Sequence, residues 1–315
     1  MNHLISYAMA LAAGLIWGVT FSLARIATEA GHHPVGLAWW QALGGGLLLL
    51  GYTLLTRTRG ATLSPRLRDM IVVGLSGSVI PGTLLFYAAV HVPAGVLAIT
   101  IAFVPLLTYG ISLPLRIDRF SGLRVTGVLS GLVAIMLIMA PDNVAGLTVA
   151  SSDSLLSDPR FWIAMALLSC LFYTLENIYV DGVVPGGTDV SRLLCGGMLL
   201  AAAMLLPVVL ISDAFVILSF PFDTAEWAIV VMMFVSAVAY LLYLLLIKRA
   251  GAVFASMSGY IVTLAGVFWG IVLFNEQHSV MIWLALLLML IGMVLVTPRA
   301  QTDKPHHNPR NDPLE

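Results

Sequence analysis

The sequence predicts an all-α, polytopic membrane protein: ten transmembrane helices in two inverted five-helix repeats. Three observations predict it. Ten apolar segments, each near the length a bilayer requires, fill most of the 315 residues. Basic residues fall almost entirely on alternate connections between those segments. The two halves resemble each other weakly at one constant offset.

Composition sets the class. Hydrophobic residues make up 60% of the chain and charged residues 10%, with a mean hydropathy of +0.99. No water-soluble domain of this length could bury so much apolar surface. A helix of about 20 apolar residues crosses a hydrocarbon core roughly 30 Å thick. The first half supplies Leu4–Ala24, Pro34–Leu55, Met70–Val90, Ala94–Leu115 and Leu123–Ala140. The second half supplies Phe161–Val180, Ser191–Ser212, Trp227–Ile247, Ala252–Phe274 and Val280–Thr297. Each is expected to be helical, because lipid offers no partner for backbone N–H and C=O groups. The segments also lack the polar alternation of a barrel strand. Pro81, Pro105 and Pro207 fit inside such helices where neighbours satisfy the freed carbonyl. Cys170 and Cys195 lie within apolar segments and read as small hydrophobes, with neither a disulfide framework nor a metal cage expected. The opening MNHLISYAMALAAGLIWG has no basic n-region, so it reads as a first helix rather than a cleaved signal.

Charge sets the orientation. The even connections and the tail carry Arg57, Arg59, Arg66, Arg68, Arg116, Arg119, Arg124, Arg192, Lys248, Arg249, Arg299, Lys304 and Arg310. Of the 15 basic residues, that leaves only Arg25 and Arg160 for the odd connections. An even helix count with both termini cytoplasmic follows. Arg25 dissents locally, because nothing basic precedes the first helix. The divisions are then 1–140 for the first repeat, 141–160 for an extracytoplasmic linker, 161–297 for the second repeat and 298–315 for a disordered cytoplasmic tail.

The internal repeat is seen by shifting the third-to-fifth segments by 158 positions. Asp118 in LRIDRFS then falls on Glu276 in LFNEQHS, and Ala94 falls on Ala252. Five helices per half is an odd number, so the second copy enters the membrane the other way up. Inverted repeats place a binding site near the midplane, between the halves.

The stretch GLIWGVTFSLAR resembles the first-helix motif of the EamA-type branch of the drug/metabolite transporter (DMT) superfamily. So do YAAVHVPAGVLAITIAFVPLLTYGISLPLRIDR and, in the second half, KRAGAVFASMSGYIVTLAGVFWGIVLFNEQ. The resemblance covers Leu4 to about Thr297. It implies ten helices in two inverted five-helix repeats and the export or import of small metabolites such as amino acids. The chain departs from the family pattern where the second helix commonly carries arginine and this one has Gln41. It also departs where the first acidic turn carries Asp118 instead of glutamate, and where Thr263 replaces a proline. Loss of the arginine weakens the case for an anionic ligand there.

Among single residues, Glu176 in CLFYTLENIYVDG is the most informative. A charge at a helix centre costs about 2.5–3.5 kcal/mol on insertion scales, so such groups usually face a protein interior or a water-filled path. Glu176 is the candidate to bind a substrate amine or a proton; the competing reading has it snorkel to the headgroups or pair with Asn177 or a tyrosine. Gln41 can donate to and accept from a polar ligand, or make an interhelical hydrogen bond worth about 0.6 kcal/mol. Trp39, Trp40, Trp162, Trp227 and Trp283 suit the interfacial belt. Trp17, Phe21, Tyr87, Tyr173, Tyr240, Tyr243, Tyr260 and Trp269 fall deeper and form the candidate pocket. Asp118 and Glu276 are gate candidates. Gly14 and Gly18, Gly127 and Gly131, and Gly266 and Gly270 have the small-xxx-small spacing of close helix contacts. Gly44-Gly45-Gly46 suits close packing or a hinge.

No Walker, HExxH or GxSxG motif is present, which argues against an ATP-driven pump and against an enzyme. The expectation is a secondary transporter in the inner (cytoplasmic) membrane, an exporter of small organic metabolites working by alternating access. It would have a small-molecule substrate, lipid around it and protons as a candidate co-substrate. It would have no cofactor, metal or nucleic acid, and would be a monomer or homodimer. The alternatives are an uncoupled channel-like facilitator or a non-transporting sensor or scaffold.

Overall fold

A computed structural model describes the chain outside residues 1, 57–62, 117–119, 141–155, 157, 186, 251–257 and 297–315. The tail, Asp118 and all of the 141–160 linker except 156 and 158–160 lie outside the described residues, and the helix that follows begins at Pro159, within the expected linker. In chain order the helices are α1 (Asn2–Glu29), α2 (Pro34–Leu55), α3 (Leu67–Gly74), α4 (Ile80–His91), α5 (Ala94–Ile101), α6 (Val104–Ser112) and α7 (Gly122–Ile138). They continue as α8 (Pro159–Gly182), α9 (Val190–Ile211), α10 (Thr224–Ala250), α11 (Ser258–Phe274) and α12 (Val280–Val296). Among the described residues the extended pairing is one isolated bridge, Leu63 with Thr188. The chain is therefore all-helical and polytopic. Seven helical runs are long and apolar enough to cross a membrane, and α7, α11 and α12 are shorter apolar helices.

Two segments expected as single helices are interrupted, each at a proline. Proline has no N–H to donate and its ring crowds the carbonyl four residues back. Pro81 follows a π-helical turn, Leu75–Val79, in which Ile80 N–H reaches the Leu75 carbonyl. The wider turn makes room for the ring and keeps α3 and α4 in one continuous rod. Pro105 instead breaks the fourth segment at Ala102–Phe103, between α5 and α6. Polar groups of α8 serve the backbone around that break: Cys170 Sγ donates to the Thr100 carbonyl at 3.4 Å and Thr174 Oγ1 to the Val104 carbonyl at 3.3 Å.

Two sets of helices emerge from the packing. The first spans of the halves interleave: α1 lies against α10 and α11, α2 against α9 and α10, and α3 and α4 against α8 and α9. The last spans pair with each other, α5 with α11 and α7 with α12. Glycines allow the close approaches. A methyl on Gly18 would strike Ala265 and the backbone of Val262 and Gly266; one on Gly127 would strike the Gly292 carbonyl. The Gly44–Gly46 run receives Met233, Met198 and Leu199, so close packing accounts for it. Ser130 Oγ donates to the Leu288 carbonyl at 2.7 Å between α7 and α12.

Candidate functional site

A cavity of about 40 Å³ lies among α1, α2, the π turn with α4, α8, α9 and α10. Its polar and aromatic walls are Trp17, Gln41, Ser78, Tyr173, Ser236 and Tyr240; Ala38, Ala42, Gly77, Gly82 and Met198 complete it. Gln41 Nε2 donates to Ser236 Oγ at 2.8 Å, joining α2 to α10 across the cavity edge. The Trp17 ring sits 4.8 Å from Tyr240 and 5.8 Å from Tyr243. This volume admits a few water molecules at most, whereas ligand pockets run to roughly 300–1,000 Å³. The cavity as it stands is therefore contracted.

Glu176 lies one helical turn beyond Tyr173 on α8 and is buried, at 9% exposure. Its carboxylate rests against Gly77 of the π turn, and a methyl at Gly77 would overlap it. The proline-driven turn thus has a second consequence: it brings a residue without a side chain to the carboxylate. Among the described residues no cation and no hydrogen-bond donor meets it. Neither Asn177 nor a tyrosine pairs with it.

The second carboxylate, Glu276, is in the opposite situation. Asn275, at φ 52, ends α11 in the left-handed conformation that asparagine tolerates. The chain turns sharply there, and Glu276 points back at the start of α5. Its Oε1 accepts from Arg25 Nη1 at 2.5 Å and from Ala94 N–H at 2.8 Å. Its Oε2 accepts from Gly95 N–H at 3.1 Å and lies 3.3 Å from His278 Nε2. A carboxylate on a helix N-terminus is favoured by the exposed N–H groups and the helix dipole. Burial alone would push the Glu276 pKa up; the His278 imidazole, the two N–H groups and the Arg25 charge outweigh burial and hold it below the ordinary range. Arg25 also bonds Glu29 at 2.6 Å and lies over the Phe274 ring at 4.3 Å. One acid thus ties α1, α5 and the α11–α12 turn together.

The remaining candidates divide. Tyr243 backs the cavity through Trp17. Tyr87 lies elsewhere, 6.0 Å from the Trp162 ring and 5.9 Å from His33, with His91 stacked on Trp162 at 4.4 Å. Phe21 is buried against Gly266 at the α1–α11 contact. Tyr260 packs against the main core, and Trp269 stacks edge-on with Phe268 at 5.4 Å. Sequence reasoning missed Ser236, whose signal was a small hydroxyl in an apolar run one turn before Tyr240. It also missed His278, and it read Arg25 only as a topology signal.

A bundle whose first helices surround a small polar-aromatic cavity, and whose last helices brace one another, is the build of a membrane transporter. The EamA-like transporter family model matches residues 4–140 and again 160–297, and the chain belongs to that family. It is 27% identical over 296 residues to the uncharacterized inner membrane transporter YedA of Escherichia coli K12, covering 90% of this chain and 87% of that protein. The YedA of E. coli O157:H7 gives the same figures. One solved crystal structure matches with a TM-score of 0.61 over 93% of this chain and 96% of its own, at 18% identity. That likeness concerns the fold.

Proposed function

We propose that this chain is a secondary transporter that exports small organic metabolites, the class that includes amino acids and amines, across the inner (cytoplasmic) membrane. Both termini lie on the cytoplasmic side. The halves 1–140 and 161–297 form two inverted five-helix repeats, joined by an extracytoplasmic linker. Three facts support the repeat. The family model matches each half separately. Ser130 bonds a residue 158 positions away, Leu288, the same shift that relates Asp118 to Glu276. Gly127 meets Gly292 while Ser130 meets Leu288, so α7 and α12 run antiparallel.

The observation that carries the reading is the cavity, whose walls come from the first three spans of each half. Alternating access needs such a site between modules that can rock. Glu276, with Arg25, is the outer gate of this reading, and Asp118, outside the described residues, is its inner counterpart by the sequence repeat alone. Glu176, whose carboxylate lies behind the wall residue Gly77, is the group that exchanges substrate or proton. The walls fall into roles: Trp17, Tyr173 and Tyr240 give aromatic faces, Tyr243 backs Trp17, and Gln41 with Ser236 gives polar contact.

Counterflow of labelled amino acids and amines in proteoliposomes, with and without a pH gradient, tests this. Saturable counterflow that follows the gradient is the expected result. Counterflow indifferent to the gradient assigns an uncoupled facilitator, and absence of counterflow for every substrate tried overturns the transporter reading.

A further inference from the structure

We propose that the cavity selects an organic cation, a primary amine or quaternary ammonium lacking a carboxylate, over a zwitterionic amino acid. The proposal names the ligand of the site described above and so rests on that reading for its biological meaning.

The argument is a charge inventory. The functional groups on the cavity wall are an indole, two phenols, two hydroxyls and one amide. Among the described residues none of the lining groups is a cation. The acid behind the wall is Glu176, buried, without a partner among the described residues, its carboxylate lying against the bare backbone of the wall residue Gly77. An uncompensated carboxylate away from water is costly, and a cation nearby relieves the cost. A second carboxylate in the same small space would add to it. Selection then works through repulsion as much as attraction.

The aromatic walls point the same way. Trp17 and Tyr240, tilted 49° with centroids 4.8 Å apart, both line the cavity. Aromatic faces attract ammonium groups, most strongly where water is excluded. The one wall amide, Gln41, gives one of its two Nε2 N–H groups to Ser236 and carries no charge. A substrate carboxylate would find no guanidinium to receive it.

Equilibrium binding to the purified full-length protein, with tritiated phenethylamine, choline and phenylalanine as probes, tests the proposal, paired with counterflow of the same three. Phenethylamine or choline should bind at least about tenfold more tightly than phenylalanine. Glu176→Gln should erase that preference. Gly77→Ala keeps the charge but displaces the carboxylate, and should reduce it. Gln41→Arg supplies the missing cation and should turn the preference towards phenylalanine. Should Glu176→Gln fail to elute as a monodisperse peak, the other two variants decide. Phenylalanine binding as well as the amines, no saturable binding of either amine, or a preference unchanged in Gly77→Ala and Gln41→Arg, would each overturn the cation site. Amine binding that needs Glu176, with no counterflow of any probe, would uphold the cation site and remove the transporter reading instead.

Discussion

Glu276 and Glu176 are the same side chain, both buried, and they live under opposite conditions. Glu276 receives an arginine, two helix N–H groups and a nearby imidazole. Among the described residues Glu176 receives none of these, and it leans on a glycine backbone. The first arrangement satisfies a charge within the protein and fastens three elements. The second leaves a charge to be satisfied by something that arrives. Burial alone does not separate a structural acid from a functional one; the count of partners does.

The comparison can be broken at either end. Glu176→Gln carries the largest expected effect. It should lower counterflow of the transported substrate about a hundredfold, with no loss of thermal stability, since among the described residues it breaks no hydrogen bond or ion pair. A variant that transports normally would show that Glu176 is as structural as Glu276. Glu276→Gln should do the reverse on stability, lowering it by about 2 kcal/mol because Arg25 loses its partner. The figure sits at the low end of the range because Arg25 keeps 24% exposure and solvent screens it. Thermal melts of both variants in one detergent measure the contrast directly.

Acid titration sharpens it further. Glu276 is held below its ordinary value of 4.5, so the unfolded chain takes up its proton before the folded one does. Its contribution is complete above 4.5 and is lost as pH falls through the lower folded value. The stability gap between wild type and Glu276→Gln should therefore be constant from neutral pH down to about 5 and close below that. A gap that persists at pH 3 would mean the latch does not depend on the carboxylate charge. The smallest effect concerns the brace: Ser130→Ala should cost about 0.6 kcal/mol, the usual worth of an interhelical hydrogen bond in lipid. Its transport should be unchanged.

Much of this was legible in the chain, for reasons that can be named. The helices were visible because lipid length and apolar runs leave little freedom; α2 spans the expected Pro34–Leu55 without change. The interruptions at Pro81 and Pro105 were less visible. A proline announces a disturbance, yet whether it widens a turn or breaks the helix depends on its surroundings, and the groups that bond the backbone beside the Pro105 break sit on α8. Within the pocket, Trp17, Gln41, Tyr173 and Tyr240 come together, while Tyr87 belongs to a separate aromatic stack with Trp162 and His91. Depth within a segment was readable; rotation about the helix axis was not, because these helices are apolar nearly all round. The latch was half legible, since Glu276 stood out but its partner Arg25 lies 251 positions earlier.

That separation bears on how the protein is made. Arg25 leaves the ribosome long before Glu276 exists, so during synthesis it stands as a bare cation beside the first span, with only Glu29 for company. Its definitive counter-ion comes with the last tenth or so of the polypeptide. A nascent chain released before Glu276 would keep a positive flank that disputes the orientation favoured by the basic residues of the even connections. In such truncates, reporters fused beyond Arg25 should record mixed insertion that the finished chain does not show.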